Sequence, residues 1–304
     1  MISFKSFNCY FIINGFLFLL GLLQYNAILF YCNDINEYTS NFLDSLNHFL
    51  IIFAIFILRN YAILNFIEYS IKNKPNITDK SLKGLLYANN GFVTERNSVW
   101  YNNVVSKIPK EEYKYEFHIN VLTTTSVEAM THVFIKNRMI DTNLSRYIFH
   151  DFIYFIPFSF IFEVIFDFFH YFTHRLLHHK YLYKYLHKKH HKFAHPTSIL
   201  TFYQEPFDLL ITNSIPTILT LLIFPYISNR QFHFITVYKT FIEISGHSGK
   251  ISNPTCSFPQ FIWLPKMLSI ELYTEDHDLH HSLNNCNYAK RFSLWDKVFH
   301  TYQS

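Results

Sequence analysis

Glycine is nearly missing, at 6 of 304 residues. Loops that wrap phosphates need it, and neither a GxGxxG nor a GxxxxGK string occurs, which excludes nucleotide chemistry of those kinds. The four cysteines, Cys9, Cys32, Cys256 and Cys286, show no CxxC spacing. They imply neither a disulfide framework nor a thiolate zinc site. Charge is sparse too, at 16% Asp, Glu, Lys and Arg and a net +4. Its Lys and Arg flank apolar blocks, which suits membrane topology, and no nucleic-acid partner is expected. Internal repeats and low-complexity tracts are lacking. What the chain does have is apolar bulk: half of it is hydrophobic, with 35 Phe, 22 Tyr and 3 Trp. The mean hydropathy of +0.06 averages greasy blocks and polar ones, the mark of a membrane protein with a substantial aqueous part.

Residues 11–31 are apolar except for Asn14, Gln24 and Asn26 and can span a bilayer core of roughly 30 Å. No clear cleavage site follows, so an uncleaved span is expected here in preference to a signal peptide. A second block, 48–67, has Arg59 and Asn60 as its weak point. Residues 32–47 carry Asp34, Glu37 and Asp44 but no Lys or Arg, which places that loop away from the cytosol. The polar segment 70–146 is rich in lysine, from Lys72 to Lys114, and is expected in the cytosol, leaving the sequons at Asn76 and Asn143 unglycosylated. A third block, 152–172, runs into a basic, histidine-filled stretch ending at Lys192. Then come 207–226, a break at Asn229-Arg230, and a weaker block, 232–244, that can form a returning hairpin with its predecessor. A single crossing at 152–172 would put basic segments on opposite sides. A re-entrant or broken helix near Pro157, or a further crossing hidden in 119–135, would resolve this, giving four to six spans.

Histidine stands out, at 18 residues. His174 and His178 are spaced i, i+4, with His170 one turn back and Glu163 and Asp167 in line above. His187, His190 and His191 form an HxxHH group, and His277, His280 and His281 form another. His247 stands alone between them in a GHSG string. Roughly 0.06 HxxHH matches are expected from composition, so two are significant. Imidazole binds zinc, copper, iron and nickel, and one ion rarely takes more than four protein imidazoles, so this many implies two ions. Asp167, Glu243, Asp276 and Asp278 are candidates to orient imidazole N–H groups. A redox metal fits better than a hydrolytic zinc pair, because no carboxylate stands at the repeated ligand spacing.

Each feature has a blander reading. His118, His132, His150, His233 and His300, taken singly, read as surface or hydrogen-bonded core residues, while His170, His179 and His195 are borderline. An HxxHH group can also mark a basic interfacial helix at anionic lipid. That suits the lysine-rich first group, but not the second, which is flanked by Glu275, Asp276 and Asp278. Tyr181, Tyr183, Tyr185, Trp263 and Trp295 read as interface anchors.

The order HRxxH at 174–178, HxxHH at 187–191, GHSG around His247 and HxxHH at 277–281 resembles the fatty acid hydroxylase or sterol desaturase superfamily of membrane di-iron oxygenases. The stretch 174–193 looks most like the methylsterol oxidase branch, and the ending NYAKRFSLWDKVFHTY is similar to the superfamily's habitual one. After the second box, AHPTS replaces the turns usual in either branch, and no HPGG haem-binding string occurs. The resemblance implies an all-α fold: a multi-span membrane stem (1–150, with its cytosolic polar segment) and a catalytic domain (151–304) forming a cytosolic helical cap. It implies metal ligation by His174, His178, His187, His190, His191, His247, His277, His280 and His281. His170, His179, His195, Asp167, Glu243, Asp276 and Asp278 are then additional or supporting residues. It further implies two iron ions (zinc being possible in a purified form), dioxygen, a membrane lipid substrate of sterol or sphingoid/fatty acyl class, and an external donor such as cytochrome b5 or an NAD(P)H reductase. The expected location is the endoplasmic reticulum membrane, with the boxes facing the cytosol. A dizinc membrane hydrolase, a metal-ion transporter and an inactive lipid-binding relative are the competing readings.

Overall fold

A backbone in lipid must satisfy its own hydrogen bonds, so spanning segments are helical. The computed structural model describes residues 4–32, 42–72, 77, 114–138, 148–250 and 257–303, and every regular element among them is a helix. The acidic loop at 33–41, nearly all of the polar segment before 114, and both sequons lie outside the described residues. Helices α1 (Phe4–Cys32), α2 (Phe42–Ile71), α3 (Lys114–Arg138), α4 (Phe155–Leu177), α5 (Pro206–Ile223) and α6 (Asn229–Gly246) build the stem. Four of them are long and apolar enough to cross a membrane, over Cys9–Tyr31, Ser45–Ile71, Phe155–Leu177 and Pro206–Ile223. This is the pattern of a multi-pass membrane protein.

The stem helices alternate in direction. Asn14 of α1 meets Tyr238 of α6, whereas Gln24 meets Thr236 and His233. Arg59, Asn60 and Tyr61 of α2 meet Glu128, Thr125 and His118 of α3, so that pair is antiparallel as well. Phe158 and His170 of α4 reach Phe224 and Thr212 of α5 in the same sense. Helix α3 therefore carries the chain away from the histidine end, and α4 brings it back. This helix covers the stretch 119–135 but is not among those apolar enough to cross a membrane; with it running that way, the chain is at the histidine end both where α2 ends and where α4 ends. The break foreseen near Pro157 lies earlier, at Tyr154, between a short helix (Ile148–Ile153) and α4. Pro157 falls in the first turn of α4, where a missing N–H costs little.

Lipid is as apolar as leucine, so packing and polar links, not hydrophobicity alone, hold such a bundle together. Arg59 is fully buried because Glu128 (2.6 Å), Asn60 and Gln24 surround it. Gly21 lets α1 approach α6, since a Cβ there would sit 2.5 Å from the Phe234 ring. The weaker block 232–244 is most of α6, which opens with a Ser228–Gln231 capping box and is buried almost throughout. Its Lys239, Thr240 and Glu243 are tolerated because protein, not lipid, encloses them.

Beyond the stem's histidine end lie short turns at 180–192 and 198–202, helix α7 (Thr274–Leu283) and helix α8 (Leu294–Val298). They form the cap. Asp167 of α4 fixes the last segment by accepting the backbone N–H groups of Lys290, Arg291 and Phe292 at 2.7–3.0 Å. Arg291, fully buried, then bridges Glu163 and Glu243, each at 2.8 Å. Trp295, expected as an interface anchor, instead donates to the Val164 carbonyl and packs on Phe168, tying α8 to α4. Trp263 packs on Tyr10 of α1, while Tyr181 and Tyr185 are exposed.

Candidate metal centre

Four parts of the chain deliver the histidines. His174 lies in the last turn of α4 and His178 is its C-cap. The first HxxHH group does not ride a regular helix: His187 closes a wide π-turn (Tyr183–His187), and His190 opens a tight 3₁₀ turn (His190–Lys192). His247 is the C-cap of α6. Behind it the chain turns at Gly249, whose φ of +64° and 2.6 Å virtual Cβ contact with the Pro196 carbonyl call for glycine. Helix α7 carries His277, His280 and His281 and ends on Asn284 in the left-handed region.

The nine rings gather into two groups, each able to hold an ion. His174, His178, His187, His191 and His280 form one, and His190, His247, His277 and His281 the other. Each HxxHH triplet is divided between them. The sequence reading put each triplet on one side of a helical turn; the π and 3₁₀ turns splay the first, and α7 presents the second to both groups.

The hydrogen bonds behind the rings fix their tautomers. Nδ1 of His174, His247 and His280 donates to the carbonyls of Tyr288, Glu243 and Cys286 at 2.7–2.8 Å. Nδ1 of His187 donates to the Asp208 carboxylate at 2.7 Å. A carbonyl only accepts, so the proton sits on Nδ1 and each Nε2 shows a bare lone pair. Those of His174 and His187 face each other at 3.0 Å and those of His280 and His174 at 3.1 Å, while that of His247 faces Nε2 of His277 and His281 at 3.0 and 3.3 Å. Acceptors so arranged repel unless a cation lies between them. A metal–nitrogen bond of about 2.1 Å gives edges of about 3.0 Å at a right-angled vertex and about 3.4 Å at a tetrahedral one. The observed spacings are those edges, so the residues fit a pair of metal ions.

Burial keeps the rings ready. It pushes the His247 imidazole down to about 4 and that of His280 to about 3. His190, His191, His277 and His281 fall well below the usual range, first by burial and then by the fields of neighbouring imidazoles. Neutral imidazole is the ligating form.

Other expected site residues lie outside both groups. His170 is buried beside His174 with Nδ1 on the Thr212 carbonyl at 2.6 Å. His179 is exposed against Tyr181. His195 pairs with Asp278 at 2.6 Å, pinning its turn to α7. Asp276 accepts the Tyr273 N–H to cap α7, and burial raises its carboxyl to about 7. Glu243 pairs with Arg291 at 2.8 Å, and it is its carbonyl, not its carboxylate, that meets His247. So none of the four carboxylates chosen from sequence meets a clustered imidazole. Asp208, overlooked there, does. It was visible as the lone acid inside the apolar block 207–226.

Residues 159–301 match the family model described as fatty acid hydroxylase. A curated relative, fatty acid hydroxylase vlmA of Lecanicillium sp, is 38% identical over 69 residues, which is 21% of this chain and 18% of that protein. The match thus spans about a fifth of the relative's length. No solved structure matches the chain.

Proposed function

We propose that the chain, whose residues 159–301 match the fatty acid hydroxylase family model, is a dioxygen-dependent hydroxylase or desaturase of a membrane lipid. The observation that carries the proposal is the meeting of nine imidazoles, each offering one ring nitrogen, in two groups that contain no carboxylate. A hydrolytic zinc pair normally has bridging carboxylates, whereas an all-imidazole pair suits redox iron. We assign five ligands to one ion and four to the other, as grouped above, and take both ions as iron. When bound, the pair would supply dioxygen activation with two electrons and two protons from an external donor: in hydroxylation one oxygen atom enters a C–H bond and the other leaves as water, and in desaturation both leave as water.

The chain's own residues do the rest. Asp208 and the carbonyls of Tyr288, Glu243 and Cys286 hold the imidazoles in register. Asp167 and Arg291 clamp the cap on the stem, which keeps water from the reacting carbon. The substrate is a sterol or a sphingoid/fatty acyl lipid entering from the bilayer, the sterol side resting on the resemblance at 174–193. The donor is cytochrome b5 or an NAD(P)H reductase, and the setting is the endoplasmic reticulum with the cap in the cytosol.

Metal analysis of the purified protein tests this, together with an untargeted lipid comparison of cells with and without it, in air and under anaerobic conditions. Two irons per chain and an oxygen-dependent lipid product are expected. His190→Ala and His280→Ala should each lower bound metal and abolish that product, and His300→Ala should change neither. Zinc together with an oxygen-independent product would replace the oxygenase with a hydrolase.

A further inference from the structure

The stretch 178–192 uses only one of its sides for the histidine groups. It leaves them at His178 and returns at His187, His190 and His191. Those four rings are buried or half-buried, whereas Lys180, Tyr181, Lys184, Tyr185 and Lys188 between them are exposed. The imidazoles turn inward and the ammonium groups outward, so a metal-holding turn and a basic interfacial segment are two faces of one stretch.

The outward face carries charge of a single sign. Residues 168–204 hold Arg175 and five lysines but no Asp or Glu. The acids that border this stretch are engaged elsewhere: Asp167 accepts the N–H groups of 290–292, and Glu205 pairs with Lys189 at 3.6 Å. Glu116 accepts the Tyr203 hydroxyl, which in turn accepts from Lys192. Lys180 and Lys184 lie over the rings of Tyr181 and Tyr185, at 4.9 and 5.5 Å, and among the described residues no carboxylate pairs with either of them or with Lys188.

Position in the fold says where a counter-charge would come from. Every fourth residue from Phe172 to Lys192 is exposed, and the character of that series changes once. Phe172 and Leu176, in the last turns of the apolar helix α4, give way to Lys180, Lys184, Lys188 and Lys192 beyond its end. A cluster of lysines just past a membrane span is attracted to an anionic leaflet, and in cells that leaflet is the cytosolic one. Tyr181 and Tyr185, 68% and 72% exposed, are interleaved with the lysines. Such rings settle at the headgroup level, and lysine stems lie along apolar surface while their ammonium groups reach the phosphates. Continuity with the exposed apolar side of α4 favours a bilayer over an acidic protein.

We propose that the outward face of 180–188 binds anionic phospholipid headgroups of the phosphatidylserine type, so that one stretch of chain holds the metals on its inner side and the membrane surface on its outer side. The proposal needs α4 as a span but no oxygenase chemistry, and the two readings therefore fail separately.

The full-length, metal-loaded protein in detergent micelles is to be titrated with palmitoyl-oleoyl-phosphatidylserine and with the matching phosphatidylcholine, the lipid-bound species being counted by native mass spectrometry. Phosphatidylserine should bind at least about fivefold tighter, the effect of about one lysine near an anionic surface, and the preference should shrink as salt rises. The combined variant Lys180→Gln, Lys184→Gln, Lys188→Gln should erase the preference with bound metal unchanged, and arginine at the same three positions should keep it. Should the glutamine variant fail to fold, the wild type decides the matter: a phosphatidylserine with a photoactivatable group beside its headgroup should label peptides within 175–192. Equal binding of the two lipids, a preference that survives the glutamine variant, or labelling confined to other segments would overturn the proposal. An intact lipid preference in the glutamine variant, together with weakened binding of an acidic soluble protein such as cytochrome b5, would assign this face to a protein partner instead.

Discussion

The Nδ1 proton of His187 goes to a carboxylate, while those of His174, His247 and His280 go to carbonyls. Asp208 thus makes His187 a stronger donor than its neighbours. Asp208→Asn keeps the shape and removes the charge, so metal affinity should fall by about 10–100-fold, measured by chelator competition. Acid should act on all the rings together. Below about pH 6.5 the unfolded chain takes up protons that the buried imidazoles refuse down to about 4 for His247 and about 3 for His280. The unfolded state then binds more protons, so stability is full above about pH 6.5 and declines as pH falls through that window. Unfolding midpoints of chelator-treated protein at stepped pH should drop accordingly, and midpoints unchanged between pH 7 and 4 would contradict the burial of the cluster. At this scale the sequence was legible where spacing repeats, as in the HxxHH triplets. It was not legible for Asp208 as a partner, because the contact with His187 depends on how α5 meets the π-turn.

The elements tell a related story. Long apolar helices were readable because lipid demands a continuous apolar stretch: α1, α2, α4 and α5 all satisfy it. Helices α3 and α6 were obscured, since protein neighbours relieve them of that demand and allow Asn120, Thr124, Thr125 and Glu128 in one, and Lys239 and Glu243 in the other. The division of each triplet could not be read from spacing, which assumes a regular α-turn where the chain makes a π-turn and a 3₁₀ turn. Asp167 shows how an element is joined to the cap. Its carboxylate gathers three backbone N–H groups of 290–292, and such charge-assisted bonds contribute about 1.5–3 kcal/mol each when isolated. Asp167→Ala should lower the unfolding midpoint more than any exposed substitution on α4, such as Phe172→Ala, in the same detergent.

At the scale of the whole molecule, the alternating helices set which loops share a side. The ends of α2 and α4 meet the cap, whereas the end of α1 and the turn after α5 lie at the opposite end of the stem. In a cysteine-free background, Tyr69→Cys and Tyr185→Cys should react with an impermeant maleimide from one side of sealed vesicles, and Tyr31→Cys and Tyr226→Cys from the other. Labelling of Tyr69→Cys together with Tyr226→Cys from the same side would break the alternating arrangement of the stem helices.

Because His190 sits between His187 and His191 on one short stretch yet belongs to the other group, neither ion position can be completed without the same two backbone segments. A change that disturbs either segment would therefore loosen both positions at once.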